Sequence, residues 1–102
     1  MNKRLIYLTE LIQSGKADAF AHYALAMEYK KEGQIAEAGA AFDRLTVAFP
    51  DYLPQYLMAG QMYLDNDQLP LAQLWLSRGL KLAQATGDGK TAAEIEAALA
   101  LC

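Results

Sequence analysis

The sequence predicts an all-α protein whose helices form antiparallel pairs. Three observations lead to this prediction. Hydrophobic residues make up 54% of the 102 residues, which is enough to build a core. Gly and Pro number only 7 and 3, while Ala and Leu are abundant, and this composition favours helices. Finally, the segment "HYALAMEYKKEGQIAEAGAAF" is matched 34 residues later by "YLMAGQMYLDNDQLPLAQLWL", so the same helical unit occurs twice.

The bulk composition excludes several classes of function. The net charge is -3 and the isoelectric point is about 5.0, which argues against a general nucleic-acid or anionic-membrane binder because no basic field is present. Cys102 is the single cysteine, so no disulfide can form within the chain and a reducing compartment is suitable. No apolar stretch is long enough to span a bilayer, and we expect a cytoplasmic location.

Each repeated unit has the pattern of two helices. In the first unit, a helix over about residues 18–32 ends at Gly33, a natural helix stop. The second helix carries large residues at steps of three and four, and Pro50 ends it. In the second unit the turn falls at Asp65–Asp67. Its second helix runs over about residues 69–85, with Pro70 tolerated in the first turn.

The repeat resembles the tetratricopeptide repeat (TPR), which has a large residue, a small pair, a Tyr, and later an Ala, a large apolar residue and a Pro. Asp67 departs from the pattern by replacing the Gly between the helices, and Gln84 stands where the closing Pro would be. The resemblance implies a short right-handed superhelix of antiparallel helix pairs. The matching residues are His22, Leu25, Ala26, Tyr29, Gly33, Ala38, Phe42 and Pro50, then Tyr56, Ala59, Gly60, Tyr63, Ala72 and Leu76.

We therefore expect one TPR-like domain over residues 1–102, with about six helices. An N-terminal half-repeat helix (1–15) precedes repeat 1 (18–50), and repeat 2 (52–85) is followed by a C-terminal capping helix (88–102). The half-repeats make physical sense because a repeat cannot bury its own faces without neighbours.

The first helix of repeat 1 has two apolar faces. Leu25, Ala26 and Tyr29 share one arc with His22, which we assign to packing within the repeat. Gly60, the counterpart of Ala26, should allow close approach of the partner helix, so enlarging it should overpack that contact. The apolar residues on the adjacent arc of this helix are not needed for packing within the repeat. The resemblance implies that this arc lines a concave groove that binds a peptide or a helix. The expected groove residues are Phe20, Tyr23, Met27, Lys30, Leu57, Met58, Gln61 and Leu64.

The sequence is also compatible with alternatives to an open groove. The same residues could be buried internally, a terminal helix could fold over them, or they could build a homo-oligomer. A second homo-oligomer surface could use Ile95, Leu99 and Cys102 on the last helix. One subset of the family binds a C-terminal carboxylate with Lys and Asn. We do not expect that specificity, since Tyr23, Met27 and Gln61 stand at the matching positions and only Gln61 could donate a comparable hydrogen bond. Lys30 and Lys31 could favour an acidic ligand or simply be solvated.

No pattern in the sequence predicts catalysis, a cofactor or a metal. "GDGKT" (87–91) lacks the earlier glycine and the preceding strand of a phosphate loop, and we interpret it as a turn in which Asp88 or Thr91 caps the next helix. "DNDQL" (65–69) has two acidic residues at the spacing of a calcium loop, but Leu69 occupies the next ligand position. We therefore interpret this segment as a turn between two helices. His22 is the only histidine, so neither a zinc cluster nor a histidine triad is available. We expect a non-enzymatic module with a protein partner, and neither nucleic acid nor membrane.

Overall fold

The computed structural model describes residues 2–102. Within this range the secondary structure consists of six α-helices, without strands, which confirms the predicted all-α class. The helices are α1 (Lys3–Gln13), α2 (Ala19–Lys31), α3 (Ile35–Ala48), α4 (Pro54–Asp65), α5 (Leu69–Thr86) and α6 (Gly89–Leu99). None of the described helices is both long and apolar enough to cross a membrane.

The chain divides into two units, unit 1 (Met1–Tyr52) and unit 2 (Leu53–Cys102). In unit 1, α2 packs against both α1 and α3. In unit 2, α5 packs against α4 and α6, and α4 also contacts α6. Each unit therefore contains one helix pair of the repeated type and one additional helix.

Helix α2 begins where the sequence provides a cap. The Asp18 carboxylate accepts a hydrogen bond from the backbone N–H of Ala21 at 2.8 Å, which satisfies one of the donors that the first turn leaves unbonded. Leu25 and Ala26 are buried, as expected for the packing face. From α3, Phe42 and Leu45 are completely inaccessible to solvent, so the core of unit 1 lies between these two helices.

The turns between the paired helices have the same geometry in both units. Gly33 has φ +75° and Asp67, 34 residues later, has φ +58°. In each turn the following backbone N–H, of Gln34 or Gln68, donates to the carbonyl oxygen of the tyrosine five residues earlier at 2.9 Å. Asp67 thus adopts the left-handed conformation that glycine takes in unit 1, and aspartate is among the few other residues that tolerate it.

The core of unit 2 is built around Trp75, which is 2% exposed. Its ring lies 5.8 Å from the ring of Tyr56, in a tilted arrangement, and the Arg78 guanidinium lies 5.9 Å from the Trp75 ring centroid. A small residue also permits close packing between α4 and α5: a β-carbon at Gly60 would be only 2.5 Å from Leu76 Cγ. This contact agrees with the predicted close approach at Gly60.

Helix α5 continues to Thr86 and ends at Gly87, whose φ is +74°. Asp88 then caps α6 by accepting hydrogen bonds from the Thr91 N–H at 3.0 Å and from the Thr91 hydroxyl at 2.8 Å. These hydrogen bonds hold the pKa of Asp88 below its ordinary value. The "GDGKT" segment is therefore a helix stop followed by a helix cap, as predicted.

Candidate functional site

The apolar surface of α2 in unit 1 is accessible. Phe20 is 62% exposed, and Tyr23 and Met27 are half-buried. These three side chains line an open cavity of about 420 Å³, together with Ala24, Arg4, Glu28 and Lys31. The exposed ring of Phe20 and the two half-buried side chains beside it therefore form an accessible apolar surface on α2.

Tyr23 is held in place by a second aromatic residue. Its ring lies 5.4 Å from the ring of Tyr52, with 57° between the planes, a tilted geometry that aromatic pairs favour. Burial, and to a smaller extent the neighbouring Tyr52, raises the pKa of Tyr23. The phenol therefore stays protonated at neutral pH and can donate a hydrogen bond.

Charged side chains also line the same cavity. The Glu28 side chain is 6% exposed, and its Oε1 lies 3.0 Å from Arg4 Nε. Its Oε2 lies 3.6 Å from Lys31 Nζ and accepts a hydrogen bond from Asn2 Nδ2 at 3.3 Å. We call Arg4, Glu28 and Lys31 the charged triad. One buried carboxylate thus positions two cations from different helices.

A second, polar cavity of about 500 Å³ lies beside the triad. It is lined by Asn2, Lys3, Arg4, Glu28, Lys31 and Glu32. Asn2 bridges this region, since its Nδ2 also donates to Glu32 Oε1 at 2.7 Å and its Oδ1 caps α1 by accepting from the Leu5 N–H at 3.1 Å. The triad therefore lines both an apolar cavity and a polar one.

In unit 2, the predicted groove residues on α4 are less accessible than expected. Leu57 is 8% exposed, so the prediction that it presents its side chain to a ligand is wrong. Buried residues occupy almost the whole circumference of α4, because a helix with two apolar faces buries both of them. Met58, Gln61 and Leu64 are half-buried and retain accessible surface.

Ile95, one of the residues that the homo-oligomer hypothesis placed on the surface of the C-terminal helix, is buried. Ile95 is 0% exposed, and its Cδ1 would lie 3.0 Å from a β-carbon at Gly79. Ile95 is therefore an internal packing residue of unit 2, which corrects its assignment to an oligomer surface. Leu99 and Cys102 are half-buried, and the Cys102 thiol lies 3.8 Å from the Ala98 carbonyl oxygen.

His22 lies in an aromatic environment, as its replacement of a large packing residue predicts. Its ring is 5.9 Å from the ring of Phe49. Burial, and secondarily the positive charge of Arg44, lowers the pKa of His22, while Asp18 opposes this shift. Among residues 2–102 there is no group of three or more His, Cys, Asp or Glu side chains that could hold a metal ion.

The sequence prediction does not include three residues that line this cavity, Arg4, Ala24 and Glu28. Of the two lysines at the end of the predicted groove, Lys31 lines the cavity and Lys30 does not. A signal for Glu28 was available, because its counterpart 34 residues later is Met62, which is 1% exposed. A charge at a position where the other repeat buries a methionine indicates a charged partner nearby.

Comparison with known proteins supports the fold. The chain is similar to the crystal structure of a tetratricopeptide repeat domain protein from Salinibacter ruber, with a TM-score of 0.72 and 31% sequence identity. The similarity covers 81% of this chain and 92% of the Salinibacter chain. No family model matches the sequence, and neither does any curated protein.

Proposed function

Since the chain belongs to the tetratricopeptide repeat family, we propose that it is a non-enzymatic protein-interaction module that binds a peptide or a helix of a partner protein. The observation that carries the proposal is the exposed aromatic surface of α2. Phe20, Tyr23 and Met27 line one open cavity, and Phe20 remains 62% exposed. Aromatic residues and methionine are enriched at protein interfaces, because they offer large contact areas and an adaptable shape.

The shape of this surface suits a peptide or helix. The three side chains lie at spacings of three and four residues along α2 and so form one row. A bound segment that follows the row can place successive apolar side chains against it, as helices and extended peptides do in grooves. The half-buried Met58, Gln61 and Leu64 on α4 are a second candidate contact surface.

Selection from a random peptide library displayed on phage tests the proposal without knowledge of the natural partner. The immobilised wild-type chain should enrich peptides with recurring apolar residues. A variant with Phe20→Ser and Met27→Ser should lose these peptides, because both changes remove apolar contact area from the accessible surface. Val47→Ser is the control, since Val47 is 83% exposed on α3 and lies outside the cavity.

The outcomes are distinct. Enrichment by the wild type and by Val47→Ser, but not by the double variant, supports the proposal. Absence of any enrichment, or equal enrichment by all three proteins, contradicts it. Circular dichroism should first establish that the variants keep their helical content.

The alternative function is a homo-oligomer built through the same surface. Light scattering coupled to gel filtration distinguishes the two functions. If the wild type is a dimer and the double variant is a monomer, the row on α2 mediates self-association instead of peptide binding.

A further inference from the structure

We propose that the cavity beside α2 accepts a partner segment in which a bulky apolar side chain is close to an aspartate or glutamate side chain. The carboxylate of that residue binds to Arg4 and Lys31, while the apolar side chain packs on the row of Phe20, Tyr23 and Met27. This inference rests on the proposed function, and it adds the chemistry of the partner.

The first argument is the charge of the triad. Arg4 and Lys31 are two cations, whereas Glu28 is one anion, so the triad carries a net positive charge. The cationic side chains are 63% and 76% exposed, while the Glu28 side chain is 6% exposed. Arginine has five N–H donors, and the contact with Glu28 uses its Nε. The positive ends are therefore presented to solvent and the negative end is buried beneath them.

The second argument is that the triad does more than the packing of unit 1 requires. The position equivalent to Glu28 is Met62 in unit 2, which is 1% exposed. An apolar residue therefore fills this position in the same fold. Replacing a buried ion pair by apolar residues of similar size is often neutral or stabilising, so stability alone does not account for a carboxylate here. Glu28 instead fixes the positions of two cations.

The third argument is the position of the cations relative to the apolar row. Arg4 and Lys31 line the same cavity as Phe20, Tyr23 and Met27, and its volume of about 420 Å³ is within the range of ligand-binding clefts. One short segment can therefore contact the apolar row and the cations together. Opposite charge at the margin of an apolar contact increases specificity and the rate of association.

The polar cavity that shares the triad favours an internal acidic residue over a chain terminus. Its volume is about 500 Å³, and it shares Arg4, Glu28 and Lys31 with the apolar cavity. A bound chain has space to continue past the cations along Asn2 and Lys3. We therefore assign the carboxylate to an aspartate or glutamate side chain and not to a C-terminus.

The test uses peptides obtained from the phage selection with the full chain. Selected sequences should contain Asp or Glu near the apolar residue more often than the unselected library does. One selected peptide is then synthesised with both ends blocked, as a Glu-containing and a Gln-containing form, and its affinity is measured by fluorescence anisotropy. A third form has Gln inside and a free C-terminal carboxylate.

Two variants each remove one of the cations. Lys31→Gln leaves the Arg4–Glu28 pair intact and should weaken the Glu peptide by about threefold, the magnitude of an exposed ion pair. Arg4→Gln removes the other cation, while Glu28 keeps its contacts with Lys31 and Asn2. It should weaken the Glu peptide by about fivefold while the Gln peptide binds as before. Lys81→Gln, on exposed α5 surface, is the control with the same change of net charge as Lys31→Gln.

The outcomes separate this inference from the proposed function. A preference for the Glu peptide that both cation variants reduce, and that Lys81→Gln keeps, supports the inference. If peptides bind without an acidic preference, or if the preference is unchanged in either cation variant, the inference is wrong and the interaction module stands. Tighter binding of the free-terminus peptide than of the blocked Glu peptide overturns the assignment to an internal residue. If no peptide binds, both proposals fall.

Discussion

Gly79 on α5 lies directly against Tyr56 on α4. A β-carbon at Gly79 would be 2.5 Å from the β-carbon of Tyr56 and 3.0 Å from Cδ1 of Ile95. Carbon atoms in contact normally stay about 3.5–4.0 Å apart, so glycine is the residue that fits between these neighbours. Because Tyr56 Cβ is fixed to the backbone of α4, it cannot move aside as the tip of a flexible side chain would.

Replacement of Gly79 by alanine should therefore destabilise the protein by about 1–3 kcal/mol, the usual cost of overpacking a core. The free energy of unfolding is measured by urea denaturation followed by circular dichroism. Gly89→Ala is the matched control, because no heavy atom lies within 4 Å of the added β-carbon and the position is the first of helix α6. A Gly79→Ala protein as stable as this control would contradict the packing described here.

The left-handed turn of unit 1 provides a second prediction. Gly33 has φ +75° with open space around it. An alanine there would therefore be destabilising only through its left-handed backbone conformation. Gly33→Ala should cost about 1–2 kcal/mol, the penalty of a left-handed L-residue. Asp67→Gly, at the equivalent position with φ +58°, should not destabilise unit 2. Urea denaturation checks both variants, and a Gly33→Ala protein that matches wild type would exclude backbone strain at this turn.

The pair of Arg4 and Glu28 provides a third prediction, about stability. Arg4→Met alone removes the 3.0 Å contact with Glu28, whose side chain is 6% exposed. The Glu28 carboxylate then keeps its contacts with Lys31 and Asn2. The expected loss of stability is about 1–3 kcal/mol. Adding Glu28→Met should restore most of it, since no buried charge then remains. If the second substitution lowers stability further, the triad is a net stabilising element and the second argument for the acidic partner is lost.

His22 provides a prediction about pH. Burial and the charge of Arg44 lower its pKa below 6.5, so near this pH the folded state binds fewer protons than the unfolded state. Stability therefore increases with pH in this range. The contribution is fully present above the unfolded pKa of about 6.5 and is lost as the pH falls through the folded pKa.

The measurement compares urea denaturation at several pH values between about 5 and 8, the range in which histidine titrates. His22→Phe is the control variant, because it keeps a ring beside Phe49 but cannot be protonated. Stability of the variant should change less over this range than that of wild type. Parallel pH profiles for the two proteins would show that His22 is not responsible.

The helical class and the repeat could be predicted because both depend on local and periodic properties of the chain. Apolar residues at steps of three and four identify each helix, and Asp18 and Gly87 mark a start and a stop through cap chemistry that acts within a few residues. The 34-residue period aligned Gly33 with Asp67, and the structure places both in the same left-handed turn. Gly60 was likewise identified as a position of close approach.

The candidate site could be predicted only in part. Phe20, Tyr23 and Met27 belong to one helix, so helical geometry alone placed them in one row, and they do line one cavity. Arg4 is 24 positions before Glu28 in the sequence, and no local rule joins them. Their contact depends on how α1 packs on α2, which is why the charged triad emerged only from the structure.

The sequence by itself determined the helices, their turns and the repeat, because these follow from the spacing of residue types along the chain. Only the tertiary structure decided which apolar residues remain exposed and which charges meet. Gly79 shows why. Its counterpart in unit 1 is the larger Leu45. The counterpart of Trp75 in unit 1 is the smaller Ala41. All four are buried. Close packing requires the total side-chain volume of neighbouring core positions to be conserved, and not the volume at each position. The sequence does not show which positions are neighbours in space.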